Sequence, residues 1–425
     1  MMRKMFGLAM AAAALLVCSG QTEAPGRLDY QIRPLIENGA LTAVEVELRF
    51  RGDADGETLL RLPGEWGGQP ELWRSVSDVT LLSAGMLTET GDPARRVVTH
   101  PRDGRVHLRY RVIQDFEGAP NARQGNAYRP IVQPGYFHLI GNAFLITPEN
   151  RPQATRVRVR ARGLPRGWAY ASDLEHANLR LGDVWSSVVV GGDFRIREDR
   201  ANRVRVALRG DAWSFSDEAF TESVAGIIAA QRRFFGDRPS PYLVTVIPLD
   251  SPQEGWLSIG GTGLGDAFAF FATTNGQAAQ ITRTLAHEGL HTWIAGEIGG
   301  MPNEEQALHY WLSEGFTDFF TGRILVRERL WTPEQFAADL NEMLRAYAQS
   351  PERVSSNARV LEAFWSSRDV QRLPYQRGRL LATIWDQRLR AQGRDFDDVV
   401  LAMRDRVANG DQRHAHEIFP EVILG

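Results

Sequence analysis

The sequence predicts an α+β protein: an N-terminal antiparallel β-domain, sandwich or saddle in shape, followed by a mixed region and a helical C-terminal region. Two observations lead to that class. Apolar and polar residues alternate from about Arg27 to Arg209, the period of half-buried strands. Near residue 210 the period lengthens to that of helices, and from about Glu304 onward the chain reads as mostly helical. The expected division is therefore 27–210 for the β-domain, 211–330 for a mixed domain and 331–425 for the helical region.

Before the first strand lies a targeting segment, residues 1–20. Arg3 and Lys4 precede an apolar or small run from Met5 to Val17, too short to span ~30 Å of hydrocarbon as a helix. It has the form of a secretory signal, with Cys18, Ser19 and Gly20 as small residues suited to cleavage. Cys18 is the only cysteine. Leu15-Leu16-Val17-Cys18 resembles a bacterial lipoprotein box, although Val17 stands where that box has a small residue. The expectation is an exported protein, periplasmic or secreted, soluble or lipid-anchored at Cys18. A single cysteine permits no internal disulfide, so packing must supply the stability.

Within the β-domain, the clearest alternations are Leu41 to Phe50, Arg105 to Val112, Arg156 to Ala161 and Arg203 to Leu208. Ser216 then caps a helical stretch that Gly236 stops. A strand from Tyr242 to Leu249, the glycine-rich Ile259 to Asp266 and an apolar run Ala267 to Ala272 precede a helix over about Gln280 to Ala295. Thr332-Pro333-Glu334-Gln335 starts a further helix with a capping box. Hydrophobic residues at 43% and charged residues at 24% describe an ordinary globular protein with ample core. A net charge of −3, with no basic run interleaved with aromatics, points away from nucleic acid. No obligate protein partner is indicated.

The chemistry is concentrated in His287-Glu288-Gly289-Leu290-His291. On a helix, histidines four apart project from one face at the spacing two nitrogen ligands of zinc require. Glu288, next to the first ligand, can take a proton from a metal-bound water without displacing it. A catalytic zinc needs a third protein ligand and an open position. Glu314 fits: glycines at 296, 299 and 300 break the chain after His291, and a returning helix of ~1.5 Å per residue carries Glu314 back level with the histidines. Asp318, four residues on, shares that face and can accept the ring N–H of a ligating histidine. His309 is out of register with Glu314 and reads as structural or pocket-lining.

These residues, with Trp311-Leu312-Ser313-Glu314-Gly315 and Pro374-Tyr375-Gln376-Arg377-Gly378, resemble the glycyl aminopeptidase family of gluzincin metallopeptidases, which is similar to the alanyl aminopeptidase/leukotriene-hydrolase group. The resemblance runs in order from about residue 210 to 390. It implies a thermolysin-like zinc peptidase domain, one Zn²⁺ per chain, a peptide substrate, Glu314 as third ligand and Tyr375 as stabiliser of the transition state. The family's upstream Gly-Gly-x-Glu is Gly260-Gly261-Thr262-Gly263 here, so the acid that helps hold the substrate's amino group is missing. Those glycines still suit close approach of a substrate backbone. Glu254, Asp266 and Glu297 are alternative acids that the sequence leaves open. The chain ends too soon after its helical part for the family's PDZ domain. The expected function is an exported zinc metallopeptidase, aminopeptidase-like. Its alternatives are an endopeptidase with another amine anchor and a non-catalytic binding protein that keeps the fold.

Overall fold

A computed structural model describes residues 26–425 except 177 and 303, and the side chains of 278 and 279 are likewise left undescribed. The signal segment and Cys18 lie outside the described residues. Among those described, no helix is long and apolar enough to cross a membrane.

The alternating stretches are strands. Ala40–Arg51 and Arg105–Val112 pair antiparallel in a five-stranded sheet that also holds Leu28–Glu37, Val76–Leu81 and Val157–Ala161. One departure from pure antiparallel pairing is Leu28–Glu37, which runs parallel to Val157–Ala161. Two four-stranded antiparallel sheets complete this half. Its core includes Tyr30, Tyr110, Phe137 and Phe144, all essentially sealed from solvent.

The fourth sheet carries the site. Its order is Arg195–Asp199, Val204–Leu208, Tyr242–Pro248, Ala267–Ala272 and Ile259–Gly263. The middle three are parallel and the outer two antiparallel to their neighbours. Its first two strands thus come from residues 195–208, ahead of the expected junction near 210. Tyr242–Pro248, apolar but for Thr245, and Ala267–Ala272 show no alternation because both faces are covered. Helices cover one face. The other packs on the third sheet, Val188 and Val190 meeting Ala207, Leu243 and Phe271 in one continuous core. Buried His138 crosses that seam to Thr245, 3.0 Å away.

The leading helix, Asp217–Phe235, is capped by Ser216, whose hydroxyl accepts from the Ala219 N–H, and ends at Gly236 with φ 74°. The motif helix is Ala278–Leu290, started by Gln280 accepting the Gln277 N–H. It stops earlier than the periodicity suggests, at His291, because the chain turns into the glycine-rich 296–300 loop. The return helix, Tyr310–Arg327, and the crossing helix, Arg368–Arg390, follow, with Pro333–Gln349 bracing them. Phe316, Phe320, Phe396 and Phe419 form the core of this half.

Candidate active site

The three expected ligands converge. His287 Nε2 lies 3.1 Å, and His291 Nε2 3.4 Å, from the same Glu314 oxygen. One ligand atom from each residue falls within 4.8 Å of the other two. Around a tetrahedral ion with bonds of ~2.0–2.1 Å, neighbouring ligands sit ~3.3 Å apart, so the two separations fit zinc. Each histidine is also turned to offer Nε2. His287 Nδ1 is bonded to Asp318 at 2.9 Å, and His291 Nδ1 donates to the Ile294 carbonyl at 3.3 Å. The residues present therefore suit the ion that the motif implies.

Electrostatics point the same way. Burial opposes a charge on His287, yet its hydrogen bonds to the carboxylates of Asp318 and Glu314 more than offset this and push its pKa up to about 10. Burial likewise works against ionising Glu314 and Asp318, but the histidines hold Glu314 low, and Arg283 with His287 holds Asp318 low. The carboxylates of Glu314 and Asp318 thus favour positive charge beside them. Glu288 behaves differently. Burial raises its pKa, and the backbone N–H of Gly263 is its hydrogen-bond partner. A carboxylate raised by burial is a stronger base than a solvated one.

Residues distant in sequence hold this set rigid. Behind Asp318 runs a chain of buried and half-buried charges: Arg283 at 2.9 Å, then Asp339 at 2.7 Å from Arg283, then Arg379 at 2.7 Å from Asp339. It ties the motif, return, bracing and crossing helices together. Arg379 is sealed from solvent, where only a paired charge is tolerable. Gly289, inside the motif, lets the leading helix approach: a Cβ there would meet Gln231 Oε1 at 2.7 Å. Gln231 in turn donates to the Ala286 carbonyl.

Tyr375 reaches the centre through a contact between two glycines. The return and crossing helices touch at Gly315 and Gly378. A Cβ on Gly315 would lie 2.3 Å from the Gly378 Cα, and one on Gly378 would lie 1.9 Å from the Trp311 carbonyl. With no side chain between the backbones, the Tyr375 ring stacks beside His287, centroids 5.8 Å apart. Burial and the facing carboxylates of Glu314, Glu288 and Asp318 keep its hydroxyl protonated, well above the usual phenol range.

The edge strand Ile259–Gly263 borders a cavity of about 970 Å³ that also meets Glu288, His291, Glu314 and Tyr375. Gly260, Gly261, Thr262 and Gly263 all line it. A Cβ on Gly263 would press on the Glu288 carbonyl at 3.2 Å and the His291 Cβ at 3.3 Å, and one on Gly261 would strike the Ala269 carbonyl at 2.4 Å. Packing thus requires a glycine at 261 and leaves little room for a side chain at 263.

The β-domain supplies part of the wall, which local sequence patterns did not indicate. Tyr128 donates to the Gly261 carbonyl at 3.0 Å, and Trp66 lines the same space. The alternative acids lie elsewhere. Glu297 pairs with Arg404 at 2.6 Å, Asp266 borders other clefts, and Glu254 is exposed outside the cavity. His309 stacks on His416 at 3.8 Å, outside the cavity, a structural contact.

The comparisons point to one class: the fold resembles that of zinc metallopeptidases, and His287, His291 and Glu314 form a group that could hold a metal ion. Residues 280–372 match the family model described as M61 glycyl aminopeptidase, which bears out the resemblance over the segment that carries the ligands. No curated protein matches the chain. Among solved structures, an aminopeptidase N family protein from Idiomarina loihiensis is similar at 15% identity with a TM-score of 0.70. That match covers 92% of this chain and 72% of the other. An M1 zinc metallopeptidase from Deinococcus radiodurans gives 15% identity and a TM-score of 0.57, covering 95% of this chain and 90% of its own. At such identities the likeness is one of fold, and the fold is that of the M1 aminopeptidases.

Proposed function

We propose that the protein is an exported zinc-dependent peptidase, aminopeptidase-like, in which His287, His291 and Glu314 hold the ion. The observation that carries this reading is the convergence of both imidazole Nε2 atoms on one Glu314 oxygen, with Glu288 and Tyr375 beside them. Zn²⁺, when bound there, supplies Lewis acidity to water and to the scissile carbonyl.

The chain's own residues do the rest. Asp318 fixes the His287 ring through Nδ1. The Glu288 carboxylate takes the proton of the attacking water and returns it to the leaving amine as the C–N bond breaks. The Tyr375 hydroxyl donates to the carbonyl oxygen as negative charge develops there. The edge strand lies along the substrate backbone, with Gly260 to Gly263 permitting close approach.

Glu288→Gln tests the roles. The variant should bind zinc as the parent does and lose peptide cleavage by about 10²–10⁴-fold; parental turnover would sink the assignment. A second reading, endopeptidase, is favoured by Gly263 standing where the family keeps its amine-binding acid. Matched peptides with free and N-acetylated ends separate the two, since an aminopeptidase rejects the blocked series and an endopeptidase cuts both.

A further inference from the structure

The cavity holds one positive side chain that the proposed mechanism does not use. Arg372 lines it, three residues before Tyr375 on the crossing helix. Its charged neighbours in that lining are Glu65, Glu288 and Glu314, all acids. Arg372 is exposed and, among the described residues, engages no carboxylate or carbonyl. Further along the same helix the situation is different: Arg377 donates to the Ser355 carbonyl at 2.6 Å, and Arg379 pairs with Asp339.

We infer that Arg372 binds a carboxylate of the substrate. The inference rests on the peptidase reading and names its substrate class: short peptides carrying a carboxylate close to the scissile bond. Three residues of helix place the Arg372 backbone ~4.5 Å along the axis from Tyr375. At ~3.3 Å per extended residue, its guanidinium meets groups within about two residues of the carbonyl that Tyr375 faces. A guanidinium recognises carboxylate through paired N–H donors, and among the described residues Arg372 is the one guanidinium or ammonium group in a lining whose carboxylates repel an incoming anion. There is a second reason for such a seat. A peptide carboxylate is itself a competent zinc ligand, so one left loose would compete with the scissile carbonyl for the ion. Holding it on Arg372 keeps it away.

The carboxylate has two sources, a C-terminus or an acidic side chain, and matched tripeptides distinguish them. The zinc-loaded protein is assayed on a free acid, on its C-terminal amide, and on amides with aspartate in the second or third position. The free acid, or one aspartate amide, should exceed the plain amide by about tenfold in kcat/KM, chiefly through KM. Arg372→Gln should bring that ratio to about one, and Arg372→Lys should retain part of it. Calorimetry in the Glu288→Gln protein measures the same preference as a Kd ratio, without turnover. A parent that treats all four peptides alike overturns the proposal, as does an Arg372→Gln protein that keeps the preference. If no peptide is cut yet Glu288→Gln still binds the acid more tightly, the peptidase reading fails and the carboxylate seat stands.

Discussion

At the scale of single residues, Asp318 is the partner of a proposed ligand, His287. It accepts from His287 Nδ1 and pairs with Arg283 at the same oxygen. Asp318→Asn removes the charge from both contacts, and zinc affinity should fall about 10–100-fold. Competition against a chelator measures this, and an unchanged affinity would show that the contact is only structural. Much of this was legible. His287, Glu288 and His291 declare themselves by helical spacing, Glu314 by its return path, and Asp318 by standing four residues further on. Tyr375 needed the family resemblance, because nothing local marks a phenol 61 residues beyond Glu314 as its neighbour. Arg283, Asp339 and Arg379 were not legible, since a charge on a helix usually faces water and only tertiary pairing shows that these do not.

Among elements, the crossing of Tyr310–Arg327 and Arg368–Arg390 decides where the hydroxyl of Tyr375 stands. Gly315→Ala places a methyl carbon 2.3 Å from the Gly378 Cα and 3.0 Å from the Arg379 nitrogen, and both of those are backbone. The helices must separate, so the variant should lose roughly 1–3 kcal/mol of stability as overpacking does. It should also lose turnover well beyond that, because Tyr375 moves with its helix. Zinc content should survive, since the histidines belong to the motif helix and Glu314 to the return helix, while Tyr375 alone rides on the crossing helix. Thermal unfolding, metal content and kcat together check the three parts. The helices themselves were readable from Ser216, Gly236 and Thr332 at their ends. The early stop of the motif helix at His291 was not, because its period continues to Ala295 while the glycines beyond it set the true end.

On the scale of the whole molecule, the β-domain and the sheet that borders the candidate site share one core, and two acids lie at that seam. Asp173 and Asp266 border a common cleft of about 450 Å³. Burial pushes the Asp173 carboxyl up from 3.8 to about 7, against the lowering effect of the Val188 N–H that it accepts. Because the folded pKa lies above the unfolded one, the protonated group favours folding. That contribution is complete below pH 3.8 and is lost as pH rises through about 7. Asp173→Asn stays neutral throughout, so its Tm should gain on the parent by a few degrees between pH 4 and pH 8. A gap that is constant with pH would refute the assignment. Pairings such as His138 with Thr245, and Tyr128 with Gly261, join residues more than a hundred positions apart, and no local pattern announces them. The glycine-to-glycine crossing has a consequence for how the chain tolerates change. Spacing set by backbone against backbone does not depend on which side chains fill the surrounding core. Apolar exchanges around Phe316, Phe320 and Phe396 can therefore accumulate without altering the distance between Glu314 and Tyr375. Robustness to drift is lost at Gly315 and Gly378, where even one added carbon is felt at the proposed metal centre.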